Sequence, residues 1–415
     1  MKRMRRLRIA VYHNLHSGGA KRVTVEHLRR LSAHHDVTLF TLDTADLAFA
    51  SADEPAIDTV VMPYSAARVL RSPFGRLNPL IVMRNVKRMD QTCRKVAGKI
   101  DAGYFDVVLV HPCQMTQAPL LLSALHTPSL YYCHELPRRL YEPEVQRPYK
   151  VDKARRVFLD RYDPIRKRML DAMKVWDYDA ATMATRIVAN SQYTRANVER
   201  AYRRTVEVCP PGVDANLFQL RGLKREPVVL SVGALTPNKG FDFIIRAVAT
   251  IEEKQRPSVV IISNYQEPQE LAFLTDLAGQ NKVCVTFKTR VSEAELHDAY
   301  ARAGCLAYAP VREPFGLAAL EAMAAGAPVV GVNEGGVRET IVDGVTGVLA
   351  PRNAAEFGQR ILEMLRDEDR AERMAAAARK HVVSRFNWEG HMARLEAMLL
   401  EVAQMRKGAP ARVMA

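Results

Sequence analysis

The stretch from Val228 to Ala249 reads VVLSVGALTPNKGFDFIIRAVA, and its pattern is typical of one class of fold. Val228–Val232 is a short apolar run rich in β-branched residues, which predicts a buried strand. Gly233–Gly240 contains glycine, proline and asparagine and predicts a loop, and Phe241–Ala249 has the apolar spacing of a helix. A strand, a glycine loop and a helix in this order are typical of a parallel sheet covered by helices.

The same order opens the chain, where the apolar run Leu7–Tyr12 leads through Gly18 and Gly19 into a helical pattern. Further apolar runs predict strands at Val37–Leu42, Val107–His111, Leu130–Cys133, Val259–Ser263, Val283–Phe287, Cys305–Ala309 and Val329–Val332. Strands that alternate with helices indicate an α/β fold of two doubly wound units. Such sheets bind ligands at the carboxyl ends of their strands, so we expect two facing units with a cleft between them.

The length of 415 residues exceeds what one hydrophobic core supports. Paired prolines and a glycine in Cys209–Asp214 favour a boundary there. We therefore predict a first domain over residues 1–214, a second over 215–385, and a terminal amphipathic helix with a tail over 386–415. The polar stretch Pro137–Thr185 interrupts the alternation and is interpreted as a helical insertion.

The composition, with 48% hydrophobic and 26% charged residues, is that of a globular protein. Six widely spaced cysteines exclude CxxC spacing, and no apolar run reaches the length of a membrane span. We therefore expect reduced thiols and a cytoplasmic protein. Residues 1–214 carry a formal charge of +13 and residues 215–415 only +1, which predicts an anionic partner for the first half: a membrane surface, a phosphorylated acceptor or nucleic acid.

Within that half, Phe74–Ile100 has apolar residues at helical spacing among many arginines and lysines. This pattern fits a basic helix lying on acidic lipid, which would make the protein peripheral on the inner face of a membrane. It fits equally well an ordinary helix with its apolar stripe in the core and a solvated charged face. No zinc finger, RNP motif or basic strand with interleaved aromatics occurs, so no specific nucleic-acid partner is predicted.

The densest signal for chemistry is Arg312–Val330, which reads REPFGLAALEAMAAGAPVV. Glu313 stands in the loop after a predicted strand, Pro314 suits a first helical position, and a helix over Leu317–Ala325 would end at Gly326. Backbone N–H groups at the start of this helix suit phosphate oxygens. The residues that supply them are Phe315, Gly316, Leu317 and Ala318.

A second carboxylate, Glu321, lies inside the same helix, about 8–12 Å along from Glu313. This separation matches an elongated ligand such as a sugar nucleotide. Glu313 would bond sugar hydroxyls, the helix start would hold the diphosphate, and Glu321 would bond the ribose.

These residues resemble the nucleotide-sugar site of the retaining GT-B glycosyltransferases of family 4. Besides Glu313-x7-Glu321, the resemblance rests on motifs in family order along nearly the whole chain. They are Gly18-Gly19, His134, Ala189-Asn-Ser191, Pro211-Gly-Val-Asp214, Lys239-Gly240, Gly326, Pro328, Glu334-Gly-Gly-Val-Arg-Glu339 and Asp343-Gly-Val-Thr-Gly347. It implies two Rossmann-like domains, with the acceptor on the first and the donor mainly on the second, and a C-terminal helix that crosses back to the first.

The resemblance also implies roles for single residues. Glu313, His134 and Lys239 would be catalytic, with the Lys239 ammonium on the diphosphate, where negative charge grows as the bond to the sugar breaks. Gly18, Gly19 and Gly233 would let the backbone approach the donor. The alternatives are a plain turn at the first two glycines, an exposed loop lysine and a buried structural histidine. Asn190 and Ser191 resemble cleft positions, but Ser191 also suits a helix cap.

The sequence departs from the family at three places. Ala234 stands where an arginine is common, so one phosphate cation is missing, and Arg290 or Arg312 are the candidates to replace it. Val311 and Lys288-Thr289 stand where serine and glycine are common, which leaves the nucleobase pocket undefined.

The implied activity is transfer of a sugar from a GDP- or UDP-linked donor to a polysaccharide or lipid-linked glycan acceptor, with retention and without a metal or other cofactor. The stretch from Trp176 to Ser191, together with Pro210-Pro-Gly-Val-Asp214, resembles mannosyltransferases of this family that use GDP-mannose, which favours mannose. Asp177-Tyr-Asp179 resembles a metal-binding DxD motif but lies in the helical insertion and is rejected. The alternatives are a nucleotide-sugar epimerase of the same architecture and a noncatalytic module that binds nucleotide sugar or membrane.

Overall fold

The computed structural model describes residues 5–46, 57–70, 77–151, 163–218 and 223–405, without the side chains of 150 and 151. The described chain divides into two compact units. Unit 1 comprises the described residues of Met1–Glu144, Lys153–Cys209 and Met392–Ala415, and unit 2 those of Val145–Asp152 and Pro210–His391. A short piece of the predicted helical insertion is therefore part of unit 2.

Unit 1 is built on a parallel sheet of seven strands in the order β3-β2-β1-β4-β5-β6-β7. The strands are β1 (Arg8–Asn14), β2 (Asp36–Leu42), β3 (Asp58–Met62), β4 (Val107–Cys113), β5 (Ser129–Cys133), β6 (Arg186–Ala189) and β7 (Glu207–Val208). All residues of β4 and β5 are buried, because helices cover both faces of the sheet. The α/β prediction is confirmed for this unit.

Helices of unit 1 connect these strands and fill the core on either side. They are α1 (Gly19–Ser32), α2 (Asn78–Ala102), α3 (Arg138–Tyr141), α5 (Pro164–Thr182), α6 (Gln192–Tyr202) and most of α14 (Trp388–Gln404). The side chains of Met89 and Val96 from α2 pack with Tyr131 of β5 in one hydrophobic cluster. The predicted helical insertion accounts for α3 and α5.

The helix predicted within Phe74–Ile100 is α2, and residues 74–76 of that prediction lie outside the described residues. Val86 and the apolar residues of the following turns are buried in the core. Leu77 and Leu80 at its beginning are instead 45% and 49% exposed. Core packing therefore accounts for most of the apolar stripe, and its first turn faces solvent.

Unit 2 contains a parallel sheet of six strands in the order β10-β9-β8-β11-β12-β13. The strands are β8 (Glu226–Val232), β9 (Ser258–Ser263), β10 (Val285–Thr289), β11 (Ala303–Tyr308), β12 (Val329–Val332) and β13 (Val348–Ala350). The helices are α4 (Pro148–Val151), α7 (Phe241–Ala249), α8 (Pro268–Gln280), α9 (Glu293–Arg302), α10 (Leu317–Ala324), α11 (Val337–Thr340), α12 (Ala354–Arg366) and α13 (Glu368–Arg385). Two hydrophobic clusters occupy this unit.

Strand β10 begins two residues later than the apolar run Val283–Phe287 predicts. The Val283 N–H donates to the carbonyl of Ala278 in α8, at 3.0 Å, so this residue completes the end of the helix. Pairing with β9 then extends the strand to Thr289. Hydrogen-bond partners, which the apolar pattern does not specify, thus set the strand boundary.

In both sheets the order of the strands reverses beside the first strand of the unit. In unit 1, β1 lies between β2 and β4, and in unit 2, β8 lies between β9 and β11. Connections on the two sides of such a strand leave in opposite directions, which opens a crevice at the carboxyl ends of the two central strands. No helix in the described ranges is both long enough and apolar enough to cross a bilayer.

Asp177, part of the motif that resembles DxD, is buried in α5. Its carboxylate accepts hydrogen bonds from the hydroxyls of Tyr202 and Tyr141, at 2.8 and 3.0 Å, and from the N–H of Ala118 at 3.3 Å. Burial raises the pKa of Asp177 to about 6 in spite of these donors. Asp179 is exposed, so the two carboxylates have different environments.

The raised pKa predicts a pH dependence of stability for Asp177→Asn. The folded state binds the proton of the Asp177 carboxyl more tightly than the unfolded state does. Protonation therefore contributes to the free energy of unfolding, fully below about pH 4, and this contribution is lost as pH rises through about 6. Between pH 4 and 7 the free energy of unfolding of the wild type should fall, relative to Asp177→Asn, by on the order of 2–3 kcal/mol. Urea denaturation at several pH values measures this; Asp179→Asn is the control and should follow the wild type. Parallel curves for wild type and Asp177→Asn would contradict the assignment.

Candidate functional site

The loops that follow β8 and β11 meet at the point where the strand order of unit 2 reverses. The Lys239 ammonium lies 2.9 Å from Oε2 of Glu313, although the two residues are 74 positions apart in the chain. A Cβ added at Gly233 would lie 3.4 Å from the Lys239 side chain, so the lysine stem lies against this glycine. Three residues implied by the resemblance are thus brought together.

Glu313 is held by the glycine pair that follows Glu334. The Gly336 N–H donates to the Glu313 carbonyl at 2.8 Å. A Cβ at Gly336 would lie 2.2 Å from the carbonyl oxygen of Pro314, and one at Gly335 would lie 2.5 Å from that of Glu313. Gly335 also has a φ of +58°, which favours glycine. Only residues without side chains allow the two backbone segments to approach this closely.

Helix α10 begins at Leu317, after Gly316 in the left-handed region with a φ of +105°. The expectation that Pro314 occupies the first helical position is therefore wrong, because the turn at Gly316 separates it from the helix. The N–H groups of Leu317 and Ala318 are in the first turn, where a helix supplies no acceptor. The Phe315 side chain is buried against Phe386, with ring centroids 5.8 Å apart, and Phe315 lies two positions before the first residue of α10.

The second carboxylate, Glu321, is buried and accepts a hydrogen bond of 3.1 Å from the Tyr300 hydroxyl. Burial raises the pKa of Tyr308 well above its ordinary value, and the charges of Glu313 and Glu321 act in the same direction. Both carboxylates therefore lie near this one tyrosine. The two tyrosines have no signal in the sequence.

Arg352 is a further residue that sequence reasoning missed. Its guanidinium forms a bidentate pair with Glu334, with both contacts at 2.8 Å, and donates to the carbonyls of Ala309 and Pro310 at 3.1 and 2.9 Å. It therefore ties the glycine pair to the end of β11, just before Glu313. Bidentate arginine contacts of this kind fix geometry as well as charge.

Arg147 has a similar role for the loop Gly233–Gly240, which carries Lys239 and is called the lysine loop below. Its buried guanidinium pairs with Glu270 of α8 and with Asp242 of α7, both at 2.9 Å, and donates to the Pro237 carbonyl at 3.1 Å. Pro237 lies two residues before Lys239. The sequence assigns Arg147 to the insertion of the first half, so this contact is visible only in the tertiary structure.

The two candidate cations differ in position. Arg290 is exposed and follows β10, the edge strand, so β9 separates it from β8. Arg312 is half-buried and directly precedes Glu313 in the loop after β11, and β11 pairs with β8. Strand order therefore favours Arg312 as the second positive charge near Lys239. Within the described ranges no three His, Cys, Asp or Glu side chains are grouped so that they could hold a metal ion.

Gly18, Gly19 and His134 belong to unit 1. Gly18 caps α1, and a Cβ there would have no neighbour within 4 Å, so the space beside it is open. His134 follows β5 and is buried, and the Asn190 amide donates to its carbonyl at 3.0 Å. The Ser191 hydroxyl accepts from the Thr194 N–H at 2.9 Å, so Ser191 is a helix cap.

Two family models match the chain. The model described as Glycosyltransferase Family 4 matches residues 17–217, and that described as Glycosyl transferases group 1 matches residues 214–381. A D-inositol 3-phosphate glycosyltransferase of Xylanimonas cellulosilytica is 30% identical over 424 residues, which covers 95% of this chain and 94% of that protein. This likeness extends over both units.

A GDP-mannose-dependent alpha-(1-6)-phosphatidylinositol monomannoside mannosyltransferase of Mycobacterium tuberculosis is 32% identical over 50% of this chain and 60% of that protein. Against several curated relatives the chain spans little more than half of their length. The solved structure of Anabaena HepE in complex with UDP-glucose has 18% identity and a TM-score of 0.68, over 95% of this chain and 99% of that one. It shares the GT-B fold of two Rossmann-like domains.

The glycine contacts around Glu313 predict that Gly336→Ala is destabilising, because its methyl group would meet the Pro314 carbonyl at 2.2 Å. We expect a loss of about 1–3 kcal/mol in the free energy of unfolding. Hydrogen exchange of the segment 309–318 should also become faster, since the backbone that carries Glu313 has to move. The control is Gly279→Ala in α8, where a Cβ has no neighbour within 4 Å. Equal stability and exchange in the two variants would contradict the proposed tight approach.

Proposed function

The chain belongs to glycosyltransferase family 4, the glycosyl transferases group 1, and we propose that it transfers a sugar from a nucleoside diphosphate sugar to a glycan or lipid-linked acceptor with retention of anomeric configuration. The observation that carries this proposal is the contact between Lys239 and Glu313 at the reversal of strand order, beside the start of α10. A cation, a carboxylate and a helix start in one crevice match a diphosphate joined to a sugar.

In the proposed complex the diphosphate lies against the Lys239 ammonium and the N–H groups of Gly316, Leu317 and Ala318. The ammonium favours an anion by its charge, and the N–H groups at the helix start favour it through the helix dipole. Glu313 would bond the sugar hydroxyls and Glu321 the ribose. Glu321 is well suited to this because Tyr300 already fixes one of its oxygens.

The pair of Lys239 and Glu313 also suits the chemical step. Their side chains are 27% and 12% exposed, and an ion pair in such a partly solvated site contributes modestly to stability, so a diphosphate can compete for the ammonium. Negative charge grows on the leaving oxygen as the glycosidic bond breaks, and Lys239 would stabilise it there. The acceptor hydroxyl would attack from the side of the departing diphosphate and give its proton to a phosphate oxygen.

Arg312 is our first candidate for the charge that Ala234 does not supply, because it directly precedes Glu313 in the loop after β11, the strand that pairs with β8. Arg290 is the second. Mannose is the sugar we propose to test first, since the sequence around Trp176 resembles mannosyltransferases and the related Mycobacterium tuberculosis protein is named for GDP-mannose. UDP-glucose, bound in the Anabaena structure, is the second donor to test.

For the acceptor side we propose contact with an anionic membrane surface. Leu77 directly before α2, Leu80 in its first turn, and Val69 and Leu70 earlier in the chain are exposed apolar residues. Exposed basic residues follow on the same helix, at Arg84, Lys87, Arg94 and Lys95. Apolar side chains beside several cations are the combination that binds acidic lipid. A lipid-linked acceptor would then be reached from the membrane surface.

The activity predicts that Glu313→Gln abolishes turnover while the fold survives. The amide keeps the size of the side chain but loses the charge that pairs with Lys239 and bonds the sugar. We expect kcat/KM to fall at least about 100-fold. Released nucleoside diphosphate, measured with a panel of GDP- and UDP-sugars and with lipid extract as acceptor, provides the test. Glu293→Gln, on the exposed face of α9, is the control and should be active.

The same assay separates the rival functions. An epimerase would convert the donor without an acceptor, and a noncatalytic module would bind the donor without releasing nucleoside diphosphate. Near-normal turnover of Glu313→Gln would remove this residue from its proposed role. Release of nucleoside diphosphate by no donor of the panel would oppose the proposed function itself.

The membrane proposal predicts that the protein sediments with vesicles containing phosphatidylglycerol and that the bound fraction falls steeply as salt rises. Arg84→Glu with Lys87→Glu should reduce binding, by roughly 1 kcal/mol or more for each residue. The matched control reverses two exposed charges of unit 2, Arg373→Glu with Lys380→Glu. Equal binding of both double variants would show that α2 is not the contact.

A further inference from the structure

His134 is the last of three histidines in a row inside unit 1. Its Nε2 lies 3.3 Å from Nδ1 of His111, and Nε2 of His111 lies 3.2 Å from Nδ1 of His27. His27 comes from α1, His111 from β4, and His134 from the residue after β5. His27 and His111 are completely buried, and His134 is 7% exposed.

The three rings are also fixed by a shared aromatic neighbour. The ring centroid of Tyr132 lies 4.9 Å from that of His134, 5.7 Å from that of His111 and 5.2 Å from that of His27. The Tyr132 hydroxyl donates to the Cys209 carbonyl at 2.5 Å, which holds this ring in place. The Asn190 amide also holds the backbone of His134 through its carbonyl, while His111 and Tyr132 contact its ring.

The chemistry of imidazole makes the two contacts of His111 interdependent. A neutral ring has one nitrogen that donates and one that accepts. Both nitrogens of His111 face another histidine, so if it accepts from one neighbour it donates to the other. The proton position on His27 therefore determines that on His111, which in turn determines that on His134. A ring without this support would sample both tautomers and several orientations.

We propose that His111, supported by His27, is a positioning residue that sets the tautomer and the ring orientation of His134. The tautomer decides whether the second nitrogen, Nδ1, offers a proton or a lone pair to a sugar or acceptor hydroxyl. This inference rests on the proposed function for the role of His134, whereas the row itself is a property of unit 1. Orienting partners of this kind commonly fix the tautomer of a functional histidine.

Two conservative variants separate the two contacts of His111. An asparagine amide reaches about the position of Nδ1, the atom that faces His134, and a glutamine amide about that of Nε2, the atom that faces His27. His111→Asn should therefore retain turnover within a few-fold of the wild type. His111→Gln and His111→Leu should lose on the order of 10–100-fold in kcat, the loss typical of a misplaced group, with the donor KM nearly unchanged.

Imidazole ¹⁵N NMR gives a readout that does not depend on turnover. In wild-type protein labelled with ¹⁵N-histidine, His134 should show the shifts of one tautomer, and in His111→Leu those of a mixture. His126→Gln, at a largely exposed position, is the control and should change neither the His134 signal nor kcat. Urea denaturation of each variant verifies that unit 1 is folded.

The outcomes distinguish this inference from the proposed function. An unchanged His134 tautomer in folded His111→Leu would overturn the inference, and so would a His111→Asn variant that is folded but as inactive as His111→Leu. If the wild type transfers no sugar, the proposed function fails, and the NMR comparison still decides whether the row sets the tautomer of His134.

Discussion

The pairing of β8 with β11 is the constraint on which the candidate site depends. Parallel strands that are neighbours in the sheet end at the same edge, so the loops that follow them must meet. This brings Lys239 to 2.9 Å from Glu313 across 74 residues of sequence. The glycines at 335 and 336 then allow a third backbone segment to approach Glu313 more closely than any side chain would permit.

Buried or half-buried guanidinium groups hold this arrangement from two sides. Arg352 ties the glycine pair to the end of β11, and Arg147 ties the lysine loop to α7 and α8. Each arginine is fully engaged by carboxylates and carbonyls, as a charge removed from water requires. The contact between Lys239 and Glu313 is more exposed and therefore more easily exchanged. The two arginines thus hold the loops in place, while the Lys239 ammonium can exchange its contact with Glu313 for a contact with a bound anion.

Unit 1 repeats the same topology with different chemistry. Its strand order reverses between β1 and β4, and the residues collected near the ends of β4 and β5 include a row of imidazole rings and the Asn190 amide. The charge of unit 1 lies instead on its surface, in part on α2. The two units thus divide the work that we propose: one supplies fixed charges for a diphosphate, and the other supplies an oriented imidazole and a basic surface.

Local patterns in the sequence determined the parallel α/β class, most strands within two residues, the glycine loops, the helix that carries Glu321 and the cap at Ser191. All of these depend on residues close together in the chain. Tertiary contacts determined which face of α2 is buried, that Arg147 belongs to unit 2, that α10 begins after Gly316 and not at Pro314, and that His27 and His111 contact each other in a row with His134. These features depend on pairing and packing between residues that lie far apart in the chain, or on backbone turns that such contacts fix. Local sequence patterns do not specify which distant residues come into contact, so they could not predict these features.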